Sequence, residues 1–196
     1  MVLLINNSNK EEFFIKNVMK QLYSMKLSSN KQPLISVTPA VHSSILGQYY
    51  LISTGSQSVT GQGHILALQI NIPANINKTV FIDKITGGSI SHTTIDVLYN
   101  ASFAAPGTSI LPVNVNLGSS NTSLVTGKFF TGADPSVGGT IIKCIIQTGG
   151  SLIIEYDGRL IIPSSTSNQT ILIRLINTSN QTNNLSINLG YWEEEE

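Results

Sequence analysis

The residues that could do chemistry here are three histidines, one cysteine, a few internal carboxylates and many serines. A metal site needs three or four convergent ligands. His42, His64 and His92 lie in three separate segments, and none has a second histidine, cysteine or carboxylate at ligand spacing. We therefore expect no metal and no cofactor. Nucleophilic catalysis needs a nucleophile beside a positioned base. No G-x-S-x-G elbow is present. Cys144 lies in the apolar run Ile141–Ile142–Lys143–Cys144–Ile145–Ile146. It reads as a small buried hydrophobe, away from any helix N-terminus that would lower its pKa. Glycoside hydrolysis would need paired carboxylates, and the internal acids are Asp83, Asp96, Asp134, Glu155 and Asp157. Asp134 and Asp157 sit in turn signals. Glu155 faces Arg159 across the hairpin turn expected at Asp157–Gly158, where a cross-strand ion pair is expected. Gly87–Gly88, Gly138–Gly139 and Gly149–Gly150 lack a following Lys-Ser/Thr and read as turns, not phosphate cradles. The chain reads as no enzyme.

From Leu34 onward apolar residues alternate with a period of two. Strands are expected at 34–38, 48–54, 64–72, 79–86, 92–100, 109–115, 123–130, 140–147, 151–156, 159–163, 169–176 and 184–191. Short turn signals such as Gly61–Gln62–Gly63, Pro73–Ala74–Asn75, Pro106–Gly107 and Asp134–Pro135 separate them. Asp157–Gly158 between two apolar runs predicts a two-residue hairpin, because a type I′ turn requires positive φ. Leu185, Ile187, Leu189 and Tyr191 alternate with Ser186, Asn188 and Gly190, as in a strand with one buried and one wet face. Ile171–Ile176 is apolar on both faces except at Arg174, and reads as a central strand covered twice or facing a partner.

The first segment has another period. Ser8 and Glu11 form a capping box. Phe14, Ile15, Val18, Met19, Leu22 and Met25 then recur at spacings of three and four, predicting one amphipathic helix over 8–27. Ser28–Pro33 follows as a polar linker with a helix-stopping proline. The apolar stripe either covers the β body or packs on a neighbouring subunit. Val2, Leu3, Leu4 and Ile5 ahead of it read as a short apolar strand, suited to adding to an exposed sheet edge of the next subunit. The fold class expected is all-β: a jelly-roll-like antiparallel β-sandwich preceded by one N-terminal amphipathic helix. The divisions are an arm at 1–33, the sandwich at 34–192 and an acidic tail at 193–196.

Only 11% of the 196 residues are charged, and the net charge is zero. The charge is uneven. Five lysines against Glu11 and Glu12 make residues 1–31 +3, and Glu193–Glu196 make the other end −4. These are either two solvated ends or a basic end that meets the acidic end of the next copy. No basic patch with interleaved aromatics suggests nucleic acid. No apolar run reaches the roughly 18 residues of a membrane span. Met1–Ile5 is too short for a signal-peptide core, so synthesis in the cytoplasm without a classical signal peptide is expected, with release by lysis open. A single cysteine forbids an intrachain disulfide and fits a reducing compartment. The N-x-S/T triplets at Asn77, Asn100, Asn168, Asn177, Asn180 and Asn184 then read as unmodified. Tyr49, Tyr50, Tyr191 and Trp192 are either core and rim aromatics or a sugar-stacking platform, the latter centred on Tyr49, Tyr50 and Trp192.

Five segments also occur in similar order elsewhere: Gly47–Gln48–Tyr49–Tyr50, Gly61–Gln62–Gly63, Gly138–Gly139–Thr140, the run Glu155–Pro163, and Gly190–Tyr191–Trp192–Glu193–Glu194. Over about residues 45–194 the chain resembles an uncharacterised domain-of-unknown-function family of small proteins from spore-forming Bacillus-type bacteria. The family supplies no catalytic residues. The resemblance implies a sporulating Gram-positive source, production in the mother cell and association with the spore. The chain is also similar in style to the small β-sandwich subunits of spore-surface appendages and fibres, which often join neighbours through an N-terminal connector. The function expected is thus a structural subunit that assembles with itself through Val2, Leu3, Leu4, Ile5, Phe14, Ile15, Val18, Met19, Leu22 and Met25. The alternative is a carbohydrate- or surface-binding module.

Overall fold

The computed structural model describes residues 2–3, 24–25, 34–104 and 107–196, with side chains from residue 37 onward. The chain divides into two compact units, Met1–His42 and Ser43–Glu196. In the first, strands β1 (Val2–Leu3), β2 (Ser24–Met25) and β3 (Leu34–Ser36) form a small antiparallel sheet in the order β1-β3-β2. Val2–Leu3 is extended, as expected. Ser24–Met25 is extended too, where the periodicity predicts the last turn of the helix over 8–27. The remainder of that helix lies outside the described residues.

Helix α1 (Pro39–Ile45) was not expected. Its signals are nevertheless present. Thr38 accepts the Val41 N–H at 3.4 Å as an N-cap, and Pro39 takes the first helical position. Gly47, at φ +67°, stops the helix while the Gln48 N–H reaches back to the Ser43 carbonyl at 2.8 Å.

The second unit is an antiparallel sandwich. Strands β4 (Tyr49–Val59), β5 (His64–Ile72), β6 (Lys78–Ser89), β7 (Thr93–Phe103), β8 (Thr108–Ile110), β9 (Val113–Asn114), β10 (Thr126–Ala133), β11 (Ser136–Gln147), β12 (Gly150–Ile162), β13 (Gln169–Asn177) and β14 (Asn183–Glu195) form two sheets. Their orders are β11-β7-β13-β5-β10-β8 and β12-β6-β14-β4-β9. The long strands switch sheets from one to the next except between β7 and β11, which stay in one sheet, so β4-β14-β6-β12 faces β5-β13-β7-β11 in the double Greek-key order of a jelly roll. The expected fold class holds. No helix among the described residues is long and apolar enough to cross a membrane.

The core lies between the sheets. Leu185, Ile187, Leu189 and Tyr191 of β14 meet Leu66, Leu68, Ile70, Ile171, Ile173 and Leu175 of the opposite sheet. Strand β13 is central, as its two apolar faces predict. Its odd residues enter this core and Leu172 enters a second cluster with Ile65, Ala67, Leu98, Ala101 and Phe103 on the outward face.

Several turn assignments change. Asp157–Gly158 is not a hairpin. β12 runs on through it, pairing Glu155 with Lys84 and then Leu160 with Ile82, so Tyr156–Arg159 bulge opposite Asp83 alone. The positive φ values are there, +51° at Asp157 and +76° at Gly158, but they serve a bulge within one strand. Arg159 consequently pairs with Asp157 at 2.9 Å rather than with Glu155. Gly87–Gly88 and Gly138–Gly139 also lie inside strands. Gly87 lies so close to the Ser186 carbonyl of β14 that a Cβ would overlap it. Finally, Glu193–Glu195 extend β14, so the charge-based boundary at 193 falls inside a strand.

Candidate assembly surface

The residues expected to join subunits lie mostly outside the described residues. Val2 and Leu3 pair in register with Ser36 and Ile35, and Met25 pairs with Leu34. Leu4, Ile5, Phe14, Ile15, Val18, Met19 and Leu22 lie outside the described residues.

The proposed stacking platform is closed by the protein itself. Tyr49, Tyr50 and Trp192 are 6%, 2% and 3% exposed. Register places Phe81, Trp192 and Tyr49 in one row across β6, β14 and β4. The Trp192 ring stacks on Phe81 at 5.3 Å and on Tyr49 at 6.5 Å. The β12 bulge lies over Trp192, whose ring a Cβ at Gly158 would overlap. The polar ends are used as well: Tyr49 donates to Asp83 at 2.7 Å and Trp192 Nε1 donates to Glu194 at 2.9 Å. Burial and the Asp83 carboxylate hold the Tyr49 phenol far above its usual range. These rings are not open to a sugar.

Among the described residues no group of three or more His, Cys, Asp or Glu side chains is placed to hold a metal ion. Two polar clusters that local sequence did not reveal are built around charged residues. Glu193 is buried, takes an ion pair from Lys78 at 3.4 Å and accepts from the Leu124 N–H at 3.1 Å and from Ser123 Oγ. Ser123, having donated its one hydrogen, accepts from Tyr191 at 2.7 Å. This ties the 115–125 loop to the end of β14. The second cluster answers a question Arg174 raised in the sequence, since a guanidinium in an apolar strand needs partners. It meets Asp96 at 2.9 Å and Asp134 at 2.8 Å.

Cys144 lies beside this second cluster and is exposed, not buried as its apolar neighbours suggest. Its thiol donates to Asp96, and that acceptor, more than desolvation, pushes the thiol pKa up. The geometry suppresses a thiolate rather than preparing one. A cleft of about 430 Å³ between β5, β8 and β10 is lined by Gln69, Asn71, Ser109, Leu111 and Lys128 among others. Its ammonium group already donates to the Phe103 carbonyl at 3.0 Å, and its Gln69 side chain accepts from the Phe103 N–H.

The largest departure from the sequence reading is β11. Ile145 and Lys143 pair with the core-facing Ile95 and Val97, so Cys144 and Ile146 face outward, as residues directly opposite share a face. Ile141 pairs with outward Leu98, and Ile142 is an extra residue at a bulge. Ile146, Val137, Ile141 and Ile142 are 81%, 58%, 53% and 41% exposed. An apolar strand therefore forms an open side of the sandwich. No protein-family model matches the chain, and no curated protein or solved structure matches it.

Proposed function

We propose that the chain is a structural subunit that assembles with copies of itself through its N-terminal arm, in a spore-associated fibre or surface layer. The observation that carries the self-assembly reading is the aliphatic surface along β11, at Val137, Ile141, Ile142 and Ile146. Surface of that kind marks association sites on soluble proteins when it is contiguous. The division of the chain into separate compact units, Met1–His42 and Ser43–Glu196, supports the arm as the connector. The spore setting rests on the five segments of residues 45–194 that resemble the spore-former family. A head-to-tail contact through an arm gives rings or filaments according to whether its rotation closes.

Deleting residues 1–31 tests the arm. The full chain is expected to give multimers by light scattering and the truncated chain a much smaller particle. The same size distribution for both would sink the arm as connector.

A further inference from the structure

The two sheets have four edges. A bare edge strand is a template for another chain, and proteins blunt such edges by shortening, bulging or charging them. Three of the four are blunted here. β8 has three residues and β9 has two. β12 is long, but its edge is broken by the Tyr156–Arg159 bulge and carries Glu155, Asp157 and Arg159. β11 is different. It too has a bulge, at Ile142, but it has twelve residues, one charged side chain, Lys143, and a composition suited to a strand covered on both faces, and no strand among the described residues lies beyond it.

We infer that the β11 edge of one chain is covered by a second copy of the same chain, with Ile141, Ile142 and Ile146 at the centre of the contact. This deepens the self-assembly reading and rests on it. Two observations select a copy as the occupant. The first is area. Val137, Ile141, Ile142 and Ile146, with Ile90 beside the β11–β12 turn, are five exposed aliphatic side chains gathered along one edge, a surface on the order of the few hundred Å² that marks association sites. The second is that the chain carries the matching surface itself. Its own β11 edge is one such surface. Leu51 and Val113, paired side by side on β4 and β9 and both exposed, are another. A zero net charge and a single lysine on β11 leave little repulsion between copies.

Full-length protein serves for the test. The wild type is expected to be multimeric by light scattering, and Ile146→Lys to fall to a smaller mass with unchanged near-ultraviolet circular dichroism and melting. Leu117→Lys, in an exposed loop, should keep the wild-type mass. Cys144 gives a readout that needs no variant, because it lies between Ile141 and Ile146 on the same outward face. Its alkylation by N-ethylmaleimide at fixed pH should slow by roughly tenfold between dilute protein and protein concentrated enough to associate. Wild-type mass in Ile146→Lys overturns the inference. So does equal dissociation of Leu117→Lys, or one alkylation rate across a dilution series in which the mass changes. A monomeric wild type would remove the self-assembly reading as well. Multimers that resist Ile146→Lys but are lost on deleting 1–31 would remove only the β11 contact.

Discussion

Glu193 shows how one residue holds two parts of this sandwich together. Its carboxylate is out of water, so it must be satisfied by the protein. Lys78, Ser123 and the Leu124 N–H supply that, and the loop before β10 is fixed as a result. Hydrogen bonds to a charged group are worth about 1.5–3 kcal/mol each, and Lys78 is partly solvated, so its ion pair counts for less. Glu193→Gln is expected to cost about 2 kcal/mol and lower Tm by roughly 4–8 °C, measured by thermal denaturation. Little of this was legible in advance. A run of four glutamates at one end reads as solvated charge. Only the alternation Leu185–Ile187–Leu189–Tyr191, followed through two more residues, hints that position 193 continues to face inward. Cys144 was misread for a related reason. The local run Ile141–Ile146 specifies an apolar strand, but whether that strand is central or at an edge depends on strand order, which no local window contains.

The same ambiguity operates on whole elements. Asp157–Gly158 correctly signals two residues at positive φ. That backbone suits a hairpin or a bulge equally, and only the register of β6 against β12 decides for the bulge. The glycine pairs of β6 and β11 are ambiguous in the same way. The long alternating strands, by contrast, were legible in their centres, since burial on one face imposes the period directly, although β4, β11 and β14 each run four or five residues past one expected end. Helix α1 was legible in principle from Thr38–Pro39 and Gly47 but is too short to show a periodic stripe. The bulge can be tested as an element. Gly158→Ala places a Cβ against Trp192 at a φ of +76°. The expected loss is about 2–3 kcal/mol, seen as a shift of the urea midpoint to lower denaturant, with a red shift in Trp192 emission at urea concentrations the wild type withstands.

At the scale of the whole molecule, the tyrosines set the alkaline limit of stability. Tyr49, Tyr50, Tyr156 and Tyr191 all have phenols raised above 10.0, chiefly by burial. A raised folded pKa means that the stability these groups contribute is complete below the unfolded value of 10.0. It is lost as pH rises above that, because only the unfolded chain can release the protons. Urea unfolding at pH 8 and pH 11 should therefore show a clear fall in stability at the higher pH. Tyr49→Phe should fall less steeply. At the acid end Glu196 acts in the opposite sense. Its carboxyl is held below 4.5 by Ser164 and Thr79, so its small contribution is present above that pH and disappears as pH drops through the lowered value.

β14 sits between β6 and β4 in the middle of its sheet, although it is the last of the strands along the chain. On the ribosome, β4, β6 and β12 therefore emerge without the strand that joins them into one layer. The sandwich cannot close until Glu195 has cleared the exit tunnel. Until then the apolar inner faces and the open side of β11 are exposed together, so crowded nascent chains have a period in which to meet wrongly. Synthesis rate and chaperone supply, more than the stability of the finished protein, should govern how much of it is recovered in soluble form.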